Sequence, residues 1–265
     1  MRYAVLADIH ANVHALEAVL ESATRIGVDG YLIAGDIVGY GPFPNECIER
    51  VAALGATCVV GNHDLIVLGL LTDDRCIPLA QKSLAWTRDV LQDDARAYLA
   101  SLPQRIERDG IVITHGSLDD PSEYTTRRDQ AARQLARLAG EHPTAQVLVV
   151  GHTHRPWACD EAGQVQRPGR DRAIRLTPTR VLLNPGAVGQ SRQLLARARF
   201  LVLDLEEQRG WFRAVPYDIE ACRDALRARG LSSRAPHLRP SASGAGRRII
   251  GRVRRTRALI RAVRY

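Results

Sequence analysis

Residues 1–12 read Met1-Arg2-Tyr3-Ala4-Val5-Leu6-Ala7-Asp8-Ile9-His10-Ala11-Asn12. Residues 3–7 form an apolar run of strand length that stops at Asp8-Ile9-His10, a carboxylate and an imidazole two positions apart. On extended backbone that spacing lets both side chains point to the same side. Residues 11–26 follow with Leu16, Val19, Leu20 and Ala23 near helical spacing, and Asn12 is placed to cap the helix. Strand, polar cluster and helix make one unit, and the unit recurs.

Residues 31–34 end in Gly35-Asp36, and after a Gly- and Pro-rich loop residues 45–54 read as a helix. Residues 57–60 end in Gly61-Asn62-His63-Asp64, and a mostly helical stretch over 65–102 is broken near Pro78. Residues 111–113 end in Thr114-His115-Gly116, 130–139 form a short amphipathic helix, and 147–150 end in Gly151-His152-Thr153-His154. The alternation predicts an α/β fold with a largely parallel sheet. In such sheets ligands bind beyond the carboxyl ends of the strands, where all five clusters fall. After residue 155 the rhythm changes. Residues 181–183, 200–205 and 211–215 read as consecutive strands, which predicts an antiparallel portion and a second sheet. Residues 219–230 read as a helix, and a Ser/Pro/Gly/Arg-rich linker extends to about residue 246. The expected division is one domain over 1–230 and an Arg-rich, basic segment over 231–265.

Nothing in the bulk properties disturbs this reading. The chain has 265 residues, 45% of them apolar, enough for one large α/β domain. No apolar run reaches the roughly 18–20 residues needed to span a bilayer. The N-terminus lacks the apolar segment of a signal peptide. Cys47, Cys58, Cys76, Cys159 and Cys222 are scattered, which predicts reduced thiols and a cytoplasmic protein. The formal charge of +8 is concentrated, because residues 231–265 hold ten arginines and no acid while the preceding 230 residues carry −2. Lys82 is the only lysine, so heavy arginine use is a habit of the whole chain and not of one site.

The cluster residues Asp8, His10, Asp36, Asn62, His63, His115, His152 and His154 combine imidazole with carboxylate and amide. That mixture suits manganese, iron, zinc or nickel. No thiolate stands among them, which argues against a structural zinc site. The ordered set D-x-H, G-D, G-N-H-D, H-G and G-H-T-H resembles the calcineurin-like metallophosphoesterases over about residues 1–220. The resemblance implies two packed β-sheets flanked by helices, in four αββα layers. It also implies two divalent ions, manganese ahead of iron, nickel and zinc. Asp8, His10, Asp36 and His154 would hold one ion, and Asp36, Asn62, His115 and His152 the other. A hydroxide bridging the ions would attack phosphorus. His63 would protonate or stabilise the leaving oxygen, with Asp64 orienting its ring.

Two features place the chain within that family. The Ser/Thr protein phosphatases follow the bridging aspartate with Asp-Arg-Gly, where this chain has Ile37-Val38-Gly39-Tyr40-Gly41, and they carry Glu in place of Asp64. Asn184-Pro185-Gly186-Ala187-Val188-Gly189-Gln190, followed by Ser191-Arg192, is closer to the compact bacterial and archaeal phosphodiesterases. The expected substrate is therefore a phosphodiester or a small phosphomonoester, with Arg192 on a phosphate oxygen and Tyr40 and Tyr124 as walls. A protein or dinucleoside-polyphosphate phosphatase is the enzymatic alternative, and a non-catalytic metal-binding scaffold is the rival from another class. Residues 249–263 set apolar positions at near-helical spacing among arginines. They suit a helix packed on the body, a nucleic-acid arm or an anionic-membrane contact.

Overall fold

The computed structural model describes residues 1–168, 173–176, 178–193 and 196–233. The chain begins β1 (Arg2–Leu6), α1 (Val13–Ile26), β2 (Gly30–Ala34), α2 (Pro44–Ala53) and β3 (Thr57–Val59). It continues α3 (Asn62–Val67), α4 (Pro78–Val90), α5 (Asp93–Ser101), β4 (Arg105–Arg108), β5 (Ile111–Thr114), α6 (Arg128–Glu141) and β6 (Val147–Val149). Five short or hairpin strands follow, namely β7 (Trp157–Asp160), β8 (Val165–Gln166), β9 (Ile174–Arg175), β10 (Val181–Asn184) and β11 (Ala198–Asp204). Strand β12 (Arg209–Val215) and helix α7 (Ile219–Ala228) complete the described fold.

The strands form two sheets, ordered β3-β2-β1-β11-β12-β9 and β4-β5-β6-β10-β7-β8. Side chains alternate across each strand, so each sheet has two apolar faces. Tyr3, Val5, Leu32, Leu201 and Leu203 meet Ile111, Ile113, Val147, Val149, Val181 and Leu183 in the seam between the sheets. The opposite face of the first sheet presents Ala4, Leu6, Ile33, Phe200 and Val202 to the apolar stripe of α1. Val112, Leu148 and Leu182 on the outer face of the second sheet receive Ala131, Leu135 and Leu138 of α6. The result is the expected four layers, helix, sheet, sheet and helix.

The partition of strands differs from the expectation of one parallel sheet beside a separate antiparallel one. Both sheets are mixed. β1, β2 and β3 run parallel, and β11 then pairs with β1 antiparallel. In the second sheet β5, β6 and β10 run parallel, flanked by antiparallel β4 and β7. Periodicity reveals a strand but not its sheet. β11 is buried at every position, so it fits only inside a sheet covered on both faces. β4, β7, β8 and β9 are not legible as strands in the sequence, being short or, in β4, mostly exposed.

Helix limits move by a few residues. Asn12 caps α1 as expected, its Oδ1 accepting the Ala15 N–H at 3.1 Å. Asn62, His63 and Asp64 open α3 instead of trailing a strand. Leu231 packs with Ile219, Cys222 and Leu226 of α7. Residues 234–265, including the amphipathic stretch at 249–263, lie outside the described residues. No described helix is long and apolar enough to cross a membrane.

Candidate metal centre

The carboxyl ends of β1, β2, β5 and β6 converge with the first turn of α3, and the two sheets thus bring five separate sequence clusters to one point. Asp8, His10, Asp36, Asn62, His115, His152 and His154 are all buried there. One ligand atom each from Asp8, His10, Asp36 and His154 lie within 4.8 Å of one another, as do those of Asp36, His115 and His152. Asp36 belongs to both groups. Asn62 joins the second through its Oδ1, 3.0 Å from His115 Nε2.

The backbone bends sharply to do this. Asp8, His10, Asp36, His152 and His154 all have positive φ, between 49° and 63°. Such a residue carries roughly 1–3 kcal/mol of strain and persists only where its surroundings impose it, and concentrations of this strain mark functional sites. The side chains close the bends. His152 N–H donates to Asp8 Oδ1 at 3.1 Å, and His63 N–H to Asp36 Oδ1 at 2.9 Å.

The chemistry of the cluster follows from where its protons are. His10 Nδ1 donates to the Val38 carbonyl at 2.9 Å, His154 Nδ1 to Gln190 at 2.7 Å and His115 Nδ1 to Ala34 at 2.6 Å. His152 donates through Nε2 to Ser122 O at 3.0 Å. A carbonyl only accepts, so each of these nitrogens holds a proton; the opposite nitrogens of the neutral His10, His152 and His154 rings turn a lone pair inward, while that of His115 faces Asp36. His10 Nε2 and His154 Nε2 face each other at 3.1 Å. Asp36 Oδ2 sits 3.2 Å from His115 Nε2 and 3.5 Å from His10 Nε2, outside hydrogen-bond geometry. Asp8 Oδ2 is buried and also has no hydrogen-bond partner. A buried knot of lone pairs facing lone pairs is a poor hydrogen-bond network and a good cation site. The residues present therefore fit divalent metal.

Charge states agree. Burial pushes the Asp8 carboxyl up to about 8, with the His115 charge opposing and Asp36 adding. Burial takes His152 down to about 3 and holds His10 and His154 well below the usual imidazole range. Burial also opposes charge on His115, yet Asp36 and Asp8 raise that ring to about 9.

His63 stands beside the cluster. Its ring lies 4.9 Å from Tyr40 and 4.8 Å from His10, and its Nδ1 is buried without a hydrogen-bond partner. The expected role of Asp64 differs from its observed contacts. Its oxygens accept the N–H groups of Ile37 at 3.3 Å, Val38 at 3.0 Å and Gly61 at 2.9 Å. Asp64 braces the loop after β2 against the start of α3, and no bond to the His63 ring stands among its contacts. What shapes the His63 site is Gly39, where an added Cβ would lie 2.5 Å from His63 Nδ1.

A cavity of about 790 Å³ opens over the cluster, lined by Tyr40, Asn62, His63, Tyr124, His152, His154 and Arg192 on the metal side. Tyr124 lies against His152 with ring centroids 4.2 Å apart, and Arg192 lines the same opening. The structure thus brings Tyr40 and Arg192 to the same opening as the ligand set. The opposite wall, residues 66–79, carries no sequence signal as part of a site. Neither do the carbonyls of Ala34, Val38, Ser122 and Gln190, because main-chain acceptors have no residue signature.

Residues 1–208 match the calcineurin-like phosphoesterase superfamily domain. A protein of Methanocaldococcus jannaschii, itself uncharacterised, is 31% identical over 222 residues, covering 82% of this chain and 88% of that one. The crystal structure of a metallophosphoesterase from Sphaerobacter thermophilus superposes with a TM-score of 0.76 at 36% identity, covering 92% of this chain and 99% of the other. A symmetrical bis(5'-nucleosyl)-tetraphosphatase of Vibrio parahaemolyticus is 32% identical over 119 residues, 42% of this chain and 41% of its own length.

Proposed function

This chain belongs to the calcineurin-like phosphoesterase superfamily, and we propose that it hydrolyses a phosphodiester or a small phosphomonoester with two divalent ions. The observation that carries the reading is the inward-facing set of unprotonated nitrogens and unpartnered carboxylate oxygens, shared between two groups through Asp36. Asp8, His10, Asp36 and His154 would hold one ion, and Asp36, Asn62, His115 and His152 the other, manganese being favoured over iron, nickel or zinc for these nitrogen and oxygen donors. When bound, the ions supply activation of the attacking water and neutralisation of charge on the phosphoryl group.

The remaining residues do the positioning. Arg192, at the cavity mouth beside Tyr124, meets a non-bridging phosphate oxygen with its guanidinium fork. His63 borders the cavity next to the ligand Asn62 and delivers a proton or a hydrogen bond to the departing oxygen. Tyr40 lies along the His63 ring and limits its rotation. A second reading, dinucleoside-polyphosphate hydrolysis, is supported by the partial identity to the Vibrio enzyme. A non-catalytic scaffold is disfavoured because neither a ligand nor His63 has been lost.

The test is hydrolysis of bis(p-nitrophenyl) phosphate and p-nitrophenyl phosphate by metal-stripped protein, with Mn²⁺, Ni²⁺, Zn²⁺ or Mg²⁺ restored. Activity that requires metal is expected. His63→Ala should lower kcat by about 10²–10⁴ while metal content, measured by elemental analysis, stays at the parent level. Asp36→Asn should lose both metal and activity. Protein that binds two ions yet leaves both esters and dinucleoside tetraphosphate intact would sink the reading in favour of the scaffold.

A further inference from the structure

The wall of the cavity opposite the metal cluster comes from one continuous stretch, the end of α3 and the connection into α4. Ile66, Leu71, Cys76, Ile77 and Leu79 line it, together with Thr72 and Arg75. Ile66 is buried and Leu71 half-buried, while Ile77 is 57% exposed. The same connection leaves Leu70 70% exposed. Apolar side chains held at the surface without a covering element are unfavourable unless something covers them part of the time. They are not an isolated surface patch. α3 begins with Asn62 and His63, so the apolar wall and the metal cluster share one helix and one continuous cavity.

That continuity names the occupant. A phosphoryl group seated beside His63 and Arg192 leaves most of the 790 Å³ unfilled, and five of the seven residues that line it from the 66–79 stretch are apolar. Ligand sites of this kind pair a few polar groups that fix orientation with apolar walls that supply affinity. We propose that the 66–79 wall is a subsite for one ester arm of the substrate, and that the natural substrate is a phosphodiester with an aromatic or comparably bulky apolar arm. Small-alcohol monoesters would leave the wall uncovered and bind weakly. The inference rests on the phosphoesterase reading and refines it by naming the kind of ester.

Binding and turnover separate the two claims. Diphenyl phosphate and dimethyl phosphate carry the same charge and the same phosphoryl core, and differ only in their arms. Calorimetric titration of manganese-loaded protein should show diphenyl phosphate binding about tenfold or more tightly, the expected return for covering one aromatic group. Ile77→Gln changes an exposed side chain and should leave folding intact, and Leu71→Gln probes the deeper wall. Each should reduce the diphenyl-to-dimethyl affinity ratio several-fold. In parallel, phenyl p-nitrophenyl phosphate and methyl p-nitrophenyl phosphate share a leaving group, and their kcat/KM ratio should fall in the same variants. Equal affinities for the two diesters, or a ratio unchanged in both variants, would overturn the subsite. A preserved binding preference with no turnover of any ester would uphold the subsite and refute the hydrolase. Turnover with no preference would do the reverse.

Discussion

Gly39 shows how much of this site depends on single atoms. Its φ is +87°, a conformation that costs a side-chain-bearing residue strain, and its missing Cβ leaves the space that His63 occupies. Gly39→Ala should therefore displace His63 and reduce kcat by about tenfold or more, with metal content unchanged, because a displacement of about 1 Å can have that effect. Loss of metal together with activity would mean that Gly39 shapes the ligand set instead. Asp64 teaches the complementary lesson. Its position beside His63 in G-N-H-D suggests a hydrogen bond to the ring, yet its carboxylate is taken by three main-chain donors. Burial, with Asp36 nearby, pushes that carboxyl up to about 7 against those donors. Asp64→Asn presents one acceptor where two oxygens now serve three donors. It should destabilise the fold by about 1–3 kcal/mol in chemical denaturation, more than it changes the kcat of the protein that remains folded. A large fall in kcat at unchanged stability would restore the catalytic role.

At the scale of elements, the interior strand β1 is pinned from both ends of the chain. Asp204, at the end of β11, accepts the N–H groups of Glu206 and Glu207, each at 3.0 Å, and the Arg2 guanidinium at 2.7 and 3.0 Å. The Glu207 N–H foremost, then Arg2, holds the Asp204 carboxyl below its ordinary range. A depressed carboxyl stabilises the fold above its unfolded pKa of about 3.9, and that contribution fades as pH falls through the lower folded value. Asp204→Asn should be about 1 kcal/mol less stable than the parent at pH 7. The gap should narrow as pH falls below the unfolded pKa and through the lower folded value, as urea titrations along that series would reveal. A gap that persists at pH 2 would assign the loss to packing. The same pairing illustrates a limit of pattern reading. The apolar residues of β11 are visible in the sequence, but the choice of β1 as its partner is made only when residues more than 190 positions apart meet.

The described fold is two mixed sheets whose strand ends contribute to one cluster of candidate ligands. Asp8 and Asp36 follow strands of the first sheet, and His115, His152 and His154 follow strands of the second. Metal held there would cross-link the sheets and bind the folded state alone. At a hundredfold excess over its Kd each ion adds about 2.7 kcal/mol. Chelation should lower the Tm by several degrees and manganese should restore it, whereas Asp36→Asn should show neither response. An unchanged Tm on chelation, with metal removal verified, would mean that the cluster folds around protons and holds no stabilising cation.

Much of this is readable without coordinates, for identifiable reasons. Period-two and period-3.6 patterns reflect burial on one face, which residue type reports directly, so most helices and the longer strands emerge close to their places. The ligand set emerges because a strand end seldom gathers imidazoles and carboxylates unless they bind something, and here the gathering recurs in order along the chain. Three things needed the tertiary structure. Strand partners are long-range choices that no local pattern encodes. The positive φ of five candidate ligands is imposed by the packing around them and not by their own preferences. The apolar wall over 66–79 looks like ordinary helix and loop until the fold carries it across from the metal cluster, where its neighbours turn it into part of a site.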